Sequence, residues 1–209
     1  FEKSLKYDPE CAMSHWGIAY AVGPNYNKTW SDFPEEEKQV CIEKSKLSIQ
    51  FSKKIQGLKP VEMALINALS IRYPSSYTEE DFTPWNDGYA DEMRKVHQKF
   101  KEEPDVCALF AEALMNRTPW QLWEVNTGGV KDGADTLEAI SVLETAFVDL
   151  DLKGAYRHRG LLHMYIHLME MSPHPEKALK AGDALTGLVP DAGHLQHMAT
   201  HIDVLCGHY

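Results

Sequence analysis

The chain has 209 residues, of which 44% are hydrophobic and 25% charged, a composition that is ordinary for a soluble globular protein. Its formal net charge of −10 argues against binding to nucleic acids and to anionic membranes, because both need basic patches. No apolar run reaches the roughly 18 residues that would span a bilayer. The cysteines are scattered without a CxxC pair, which favours a reducing compartment and a cytoplasmic location.

Helical periodicity predicts paired helices along the chain, with prolines and charged residues marking their ends. The predicted pairs are 10–22 with 35–55, 60–73 with 86–102, 104–116 with 134–149, and 155–171 with 175–187, followed by a lone helix at 191–206. Both ends of the sequence cut through this pattern. We therefore expect the chain to be a piece of a longer protein.

Three connections between paired helices are longer than the few residues that are usual in compact helix pairs. They cover 23–34, 73–87 and 117–133, and they contain Trp30, Trp85, Trp120 and Trp123. Insertions in repeat proteins often form the binding face, and an aromatic-rich functional loop usually lines a pocket. We expect Trp120 and Trp123 to contact a ligand; the alternative is that the tryptophan rings only pack the loops against the helices.

One histidine pattern occurs twice, in LLHMYIHLME at 161–170 and in HLQHMATHID at 194–203. His163 corresponds to His197 and His167 to His201, an offset of 34 residues that equals the length of a tetratricopeptide repeat. The apolar residues around both pairs follow the stripe of an amphipathic helix.

The sequence therefore predicts an all-α fold, a TPR-like right-handed α-solenoid of helix–turn–helix repeats with expanded loops inside the repeats. An unrelated helical bundle is the alternative. The solenoid would form a single domain over 1–209, with repeats at roughly 10–56, 59–103, 104–150, 154–189 and 190–209.

The chain resembles uncharacterised tetratricopeptide-repeat proteins of fungi and bacteria. The resemblance rests on DPECAMSHWGIAYAVGPNYN, ALFAEALMNRTPWQLW, HMYIHLMEMSPHPEKAL and LVPDAGHLQHMATHIDVLCGHY, which together span nearly the whole chain. It implies the repeat fold and brings no activity with it. Family members usually carry proline where Ala199 stands and an acidic residue where His208 stands, and these departures leave the neighbouring histidines intact.

Eight of the ten histidines lie between residues 158 and 208, and five of them share two helix faces. Paired histidines at i and i+4 can hold one ion, and imidazole suits Zn, Cu, Ni or Fe. We expect one divalent transition metal bound by His163, His167, His197 and His201, with His194 and Glu170 as further or outer ligands. No glutamate follows the first histidine of either pair, which excludes the HExxH protease motif. Histidines that merely line a groove are the alternative.

Two functions follow from these patterns. The first is a scaffold whose concave groove binds a peptide, a protein or a small-molecule ligand, with Trp16 and Tyr20 at the groove positions that His197 and His201 occupy in the last repeat. The second is a metal-binding protein or metalloenzyme that uses the histidine cluster. Interaction modules are commoner among such repeats, which favours the scaffold, but fold alone does not give function. The sequence leaves open whether the protein is an enzyme.

Overall fold

A computed structural model describes residues 1–73, 81–152 and 156–208. These residues are mostly helical, which confirms the predicted all-α class. Their contacts divide the chain into two compact units, Phe1–Phe100 and Lys101–Tyr209. The single solenoid domain over 1–209 stays a prediction. Within the described ranges, no helix combines the length and the apolar character needed to cross a bilayer.

The first unit contains helices α1 (Ala12–Ala21), α2 (Glu35–Lys54), α3 (Pro60–Ile71) and α4 (Thr83–Lys99). Each helix packs against the next one in sequence, and α1 also contacts α3. The interior is formed by apolar side chains such as Leu69, Ala90 and Met93, all of which are fully buried.

The second unit contains α5 (Pro104–Met115), α6 (Thr136–Leu152), α7 (Arg159–Met169), α8 (Leu179–Leu185) and α9 (Gly193–Cys206). Helix α7 is central to it, because it contacts α5, α6, α8 and α9. Between α5 and α6, the short strands β1 (Trp123–Glu124) and β2 (Gly129–Val130) form an antiparallel hairpin in which Trp123 pairs with Val130.

Local sequence explains where these helices begin and end. Proline occupies the first position of α3 and α5, where its missing N–H is not needed by the helix. Helix α2 starts with three glutamates and ends with two lysines, charges that suit the two ends of the helix dipole. Gly207, with φ 76°, ends α9 in the left-handed conformation that glycine adopts without strain.

The expanded loops are partly structured. Loop 23–34 contains a 3₁₀ turn at Trp30–Asp32, and its Trp30 is buried against Tyr73, Phe82 and Trp85. Loop 73–87 ends earlier than predicted, since Trp85 already belongs to α4, and residues 74–80 of this loop lie outside the described ranges. Trp30 of loop 23–34 thus packs against Trp85 of α4, as predicted by the alternative in which the tryptophan rings pack the loops against the helices.

Candidate metal centre

Two helices of the second unit present the histidines. In α7, His163 and His167 lie one turn apart, and their ring centroids are 4.7 Å from each other. In α9, the three histidines His194, His197 and His201 follow one another along one face, with consecutive ring centroids 5.0 and 5.1 Å apart. Since α7 contacts α9, the rings of His163 and His167 come into contact with those of His194 and His201.

Three of these imidazoles form a compact trio. One ring nitrogen each from His163, His167 and His194 lies within 4.8 Å of the other two. The Nε2 atoms of His163 and His194 are 2.8 Å apart, at hydrogen-bonding distance. Two ring nitrogens this close cannot both carry a proton, so at least one of them presents a lone pair. The trio therefore offers nitrogen lone pairs in a small volume.

Glu170 connects the trio to His201. Its Oε1 atom accepts a hydrogen bond from Nδ1 of His167 at 2.8 Å, and its Oε2 atom pairs with Nδ1 of His201. Because the carboxylate engages Nδ1, Nε2 is the ring nitrogen through which His167 would ligate a metal ion. A carboxylate that orients a histidine through its second ring nitrogen is a common arrangement around metal ions.

Burial shapes the electrostatics of this cluster. His167 is 1% exposed, and His163 is largely covered. Desolvation, together with the neighbouring histidines, lowers the pKa of His163 to about 3 and also holds the pKa of His194 below its usual value. Burial alone would raise the pKa of Glu170, but the hydrogen bonds from His167 and His201 outweigh it and the pKa is lowered. The lowered pKa values keep the imidazoles of His163 and His194 neutral and the carboxylate of Glu170 charged at neutral pH.

The trio contains two of the four expected ligands, His163 and His167, together with His194, which was expected as a further or outer ligand. His194, rather than His197, lies beside His163 and His167, while Nδ1 of His197 faces the Gly193 carbonyl of its own helix at 3.4 Å. The physical reason is the register of α9 on α7. The two hydrogen-bonded pairs that join these helices, His163 with His194 and Glu170 with His201, are both separated by 31 residues. The rings of His167 and His201, which are separated by the repeat length of 34, have their centroids 6.1 Å apart.

The predicted loop tryptophans lie next to the centre. Nε1 of Trp123 donates a hydrogen bond to the Leu168 carbonyl at 2.7 Å, which fixes the hairpin to the last turn of α7. Trp120 is 43% exposed, and its ring stands edge-on to that of His167 with the centroids 6.1 Å apart. No sequence pattern indicated that Trp123 would donate a hydrogen bond to α7.

The predicted groove residues of the first unit are found in its interior. Trp16 is 9% exposed, donates to the Leu65 carbonyl at 3.2 Å and stacks on Tyr20 at 5.0 Å. Tyr20 is half-buried. Both side chains thus contribute to helix packing in this unit, and their predicted role in ligand binding stays a prediction.

Comparison with known proteins adds no assignment to this geometry. The chain matches no protein-family model, no curated protein and no solved structure.

Proposed function

We propose that this protein binds one divalent transition metal through His163, His167 and His194. The observation that carries the proposal is the trio itself, three imidazoles from two helices whose nitrogens lie within 4.8 Å of one another. Nitrogens bound to one ion at about 2.0–2.1 Å lie about 3–4 Å apart. A contraction of less than about 2 Å would bring the trio to that spacing.

The surrounding residues support this assignment. Glu170 holds His167 by its Nδ1 atom and has both carboxylate oxygens engaged, so its role is to position His167 and His201. The lowered pKa values of His163 and His194 favour the neutral imidazoles that metal binding needs. His201 pairs with Glu170 and is not one of the three proposed ligands, so it is an outer residue of the same hydrogen-bond network.

Three imidazole ligands suit Zn, Cu, Ni or Fe. A site with three protein ligands leaves a coordination position for water, and a bound water with a lowered pKa is the nucleophile of many hydrolytic metal sites. Activation of water is therefore the chemistry that this centre would support. Trp120 is 43% exposed beside His167, so a substrate at this centre would contact its ring.

The helix contacts support a finer proposal for the fold. In each unit, consecutive helices pack on each other, and α1 contacts α3 as α5 contacts α7 and α7 contacts α9. Contacts between neighbours and next-neighbours are the pattern of stacked helix pairs, so we propose tetratricopeptide-like stacking within each unit. The groove-binding scaffold and the cytoplasmic location stay predictions.

The metal site is tested by two matched variants of α9. His194→Ala and His197→Ala each remove an exposed imidazole from the same helix, three residues apart. After removal of bound metal and titration with zinc, we expect one equivalent to bind to the wild type. His194→Ala should lose more affinity than the roughly 10–100-fold typical of outer-shell substitutions, and His197→Ala should stay close to the wild type.

Two outcomes would contradict the proposal. Wild-type protein that binds no stoichiometric zinc, nickel or copper would leave the histidines as a packed network. Equal losses in the two variants would assign the ion to the quartet expected from the repeat, with His197 as a ligand.

A further inference from the structure

A buried arginine lies in the first unit, apart from the metal centre. Arg72 directly follows α3 and is 1% exposed. Its Nη2 atom donates to the Pro24 carbonyl at 2.6 Å, which is a neutral acceptor. A guanidinium stays charged in proteins, so this charge is buried as such.

Most hydrogen-bonding capacity of Arg72 is unused. Its Nε and Nη1 atoms have no hydrogen-bond partner, although both are inaccessible to solvent. In the same unit, the hydroxyl of Tyr89 and the Nε1 atom of Trp30 are also buried without a partner. Arginine and tryptophan side chains only donate, so this region of the first unit has an excess of donors. Buried donors normally find an acceptor.

The described side chains do not neutralise the charge. Among residues 1–73 and 81–100, no carboxylate oxygen pairs with the Arg72 guanidinium within 4.0 Å. The rings of Tyr89 and Tyr20 lie 4.9 and 5.8 Å from its central carbon, and their faces attract the cation. This attraction offsets only part of the desolvation free energy of the buried guanidinium. Buried charges in proteins are normally paired with an opposite charge.

We propose that Arg72 is the anchor of a binding site for a small monocarboxylate, with Tyr89 as a second donor. A carboxylate is planar, carries one negative charge and accepts several hydrogen bonds, which matches one guanidinium with free donors. A doubly charged phosphate or sulfate would leave a second buried charge uncompensated. The rings of Tyr20 and Tyr89, which lie over the guanidinium, favour an acid with a short apolar chain over a strongly hydrated anion.

The state of Tyr89 agrees with the role of donor. Burial raises the pKa of Tyr89 to about 12, so its hydroxyl keeps its proton at neutral pH. Tyr73, next to Arg72 in sequence, already donates to the Ala19 carbonyl at 2.6 Å. Of these two phenols, Tyr89 is therefore the one whose hydrogen bond is still to be made.

The test uses acetate as the probe on the full chain. In the wild type labelled with ¹⁵N, the arginine Nε–H signals are recorded while sodium acetate replaces sodium chloride at constant ionic strength. We expect the Arg72 signal to shift along a saturable curve, with the signal of the ion-paired Arg94 as an internal control. The melting temperature should rise in parallel, by roughly 3–6 °C when acetate is at ten times its dissociation constant.

Substitutions assign the response to its residues. Arg72→Lys keeps the charge but removes the planar fork, and Arg94→Lys makes the same chemical change on the surface of α4. We expect Arg72→Lys to abolish the acetate-dependent rise in melting temperature and Arg94→Lys to retain it. Tyr89→Phe keeps the ring over the guanidinium and should weaken acetate binding several-fold, which provides a second reading should Arg72→Lys fail to fold.

Three results would overturn the proposal. The first is an Arg72 signal that is unaffected by acetate. The second is an equal shift of the Arg72 signal in a separate titration with sodium chloride alone, which would make this an unselective anion site. The third is a Tyr89→Phe protein that binds acetate as tightly as the wild type.

Discussion

Glu170 joins α7 and α9 through a single carboxylate, so it is the residue whose replacement should separate positioning from ligation. Glu170→Gln keeps the size of the side chain but provides only one oxygen for the two histidines. We expect zinc affinity to fall by roughly 10–100-fold with the stoichiometry unchanged, because the three ligands remain but His167 is no longer held. Calorimetric titration with zinc measures both quantities.

A surface pair provides the control for this substitution. Glu176 faces Nδ1 of His174 at 3.3 Å, and both side chains are more than half exposed. Glu176→Gln should leave zinc affinity at the wild-type value. A Glu170→Gln protein that also binds zinc as tightly as the wild type would remove the carboxylate from the metal network.

Glu112 is a buried acid in α5, and its titration should affect stability. Burial raises its pKa from 4.5 to about 7, with the Asn116 amide opposing part of the shift. The folded chain therefore binds the Glu112 proton more tightly than the unfolded chain does. The contribution of Glu112 to the free energy of unfolding is highest below pH 4.5, where Glu112 is protonated in both states, and it falls as the pH rises through about 7 because a charged carboxylate is then buried.

Replacing the Glu112 carboxyl by an amide removes the unfavourable free energy of burying a charged carboxylate at high pH. We expect Glu112→Gln to raise the free energy of unfolding by roughly 3 kcal/mol at pH 8, since each pKa unit corresponds to about 1.4 kcal/mol, and by little at pH 4. Urea unfolding at the two pH values measures the difference. Glu102→Gln, an exposed acid just before α5, is the control, and a gain that does not depend on pH would contradict the assignment.

The hairpin formed by β1 and β2 is attached to α7 by one indole. Trp123→Phe keeps an aromatic ring but loses the hydrogen bond to the Leu168 carbonyl. This carbonyl lies in the last turn of α7, where the helix itself provides no N–H donor for it. We expect the free energy of unfolding to fall by about 1–2 kcal/mol. Trp120→Phe, in the same loop but 43% exposed, should cost less, and a larger loss for Trp120 would contradict this view.

The helices themselves could be read from the sequence because strong local signals agree with the apolar periodicity. Prolines at first helical positions fixed the starts of the helices predicted at 60–73 and 104–116, which are observed as Pro60–Ile71 and Pro104–Met115. The hairpin was not predicted, because strands of two residues have no alternation to detect. It forms where a single tryptophan reaches a carbonyl of α7.

Side-chain partnerships were less predictable than helices. The repeat assigns equivalent positions to His163 and His197, but the axial shift of α9 against α7 depends on how their side chains interlock. That shift brings His194 to His163 instead. Arg72 shows the same limit, since an arginine at the end of a predicted helix resembles a solvent-exposed charge, and its burial is evident only from the packed unit.

For the chain as a whole, we expect the proposed metal to add stability without being required for folding. The contacts of Glu170 with His167 and His201 join α7 to α9 through protein groups alone, and the buried Met198 and Ile202 add apolar packing to α9. We expect a chelator to leave the helical circular dichroism signal intact. Zinc at 100 times its dissociation constant should then add about 2.7 kcal/mol, or roughly 5–10 °C in melting temperature.

A helical signal that disappears on chelation would contradict this expectation. The protein would then resemble small zinc domains, in which binding free energy is folding free energy. Removal of the ion followed by its return distinguishes the two cases, because a preformed centre regains its melting temperature without refolding.

The offset of 31 residues between the contacting pairs bears on how this centre could have arisen. Duplication of one repeat copies His163 and His167 to positions 197 and 201, but it produces neither of the side chains that complete the network. The position equivalent to His194 is Gly160, where a Cβ atom would already lie 3.1 Å from that of Ala108, and the position equivalent to Glu170 is Val204. A duplication would thus account for the paired histidines alone, and His194 and Glu170 would each need a separate substitution in one of the two helices.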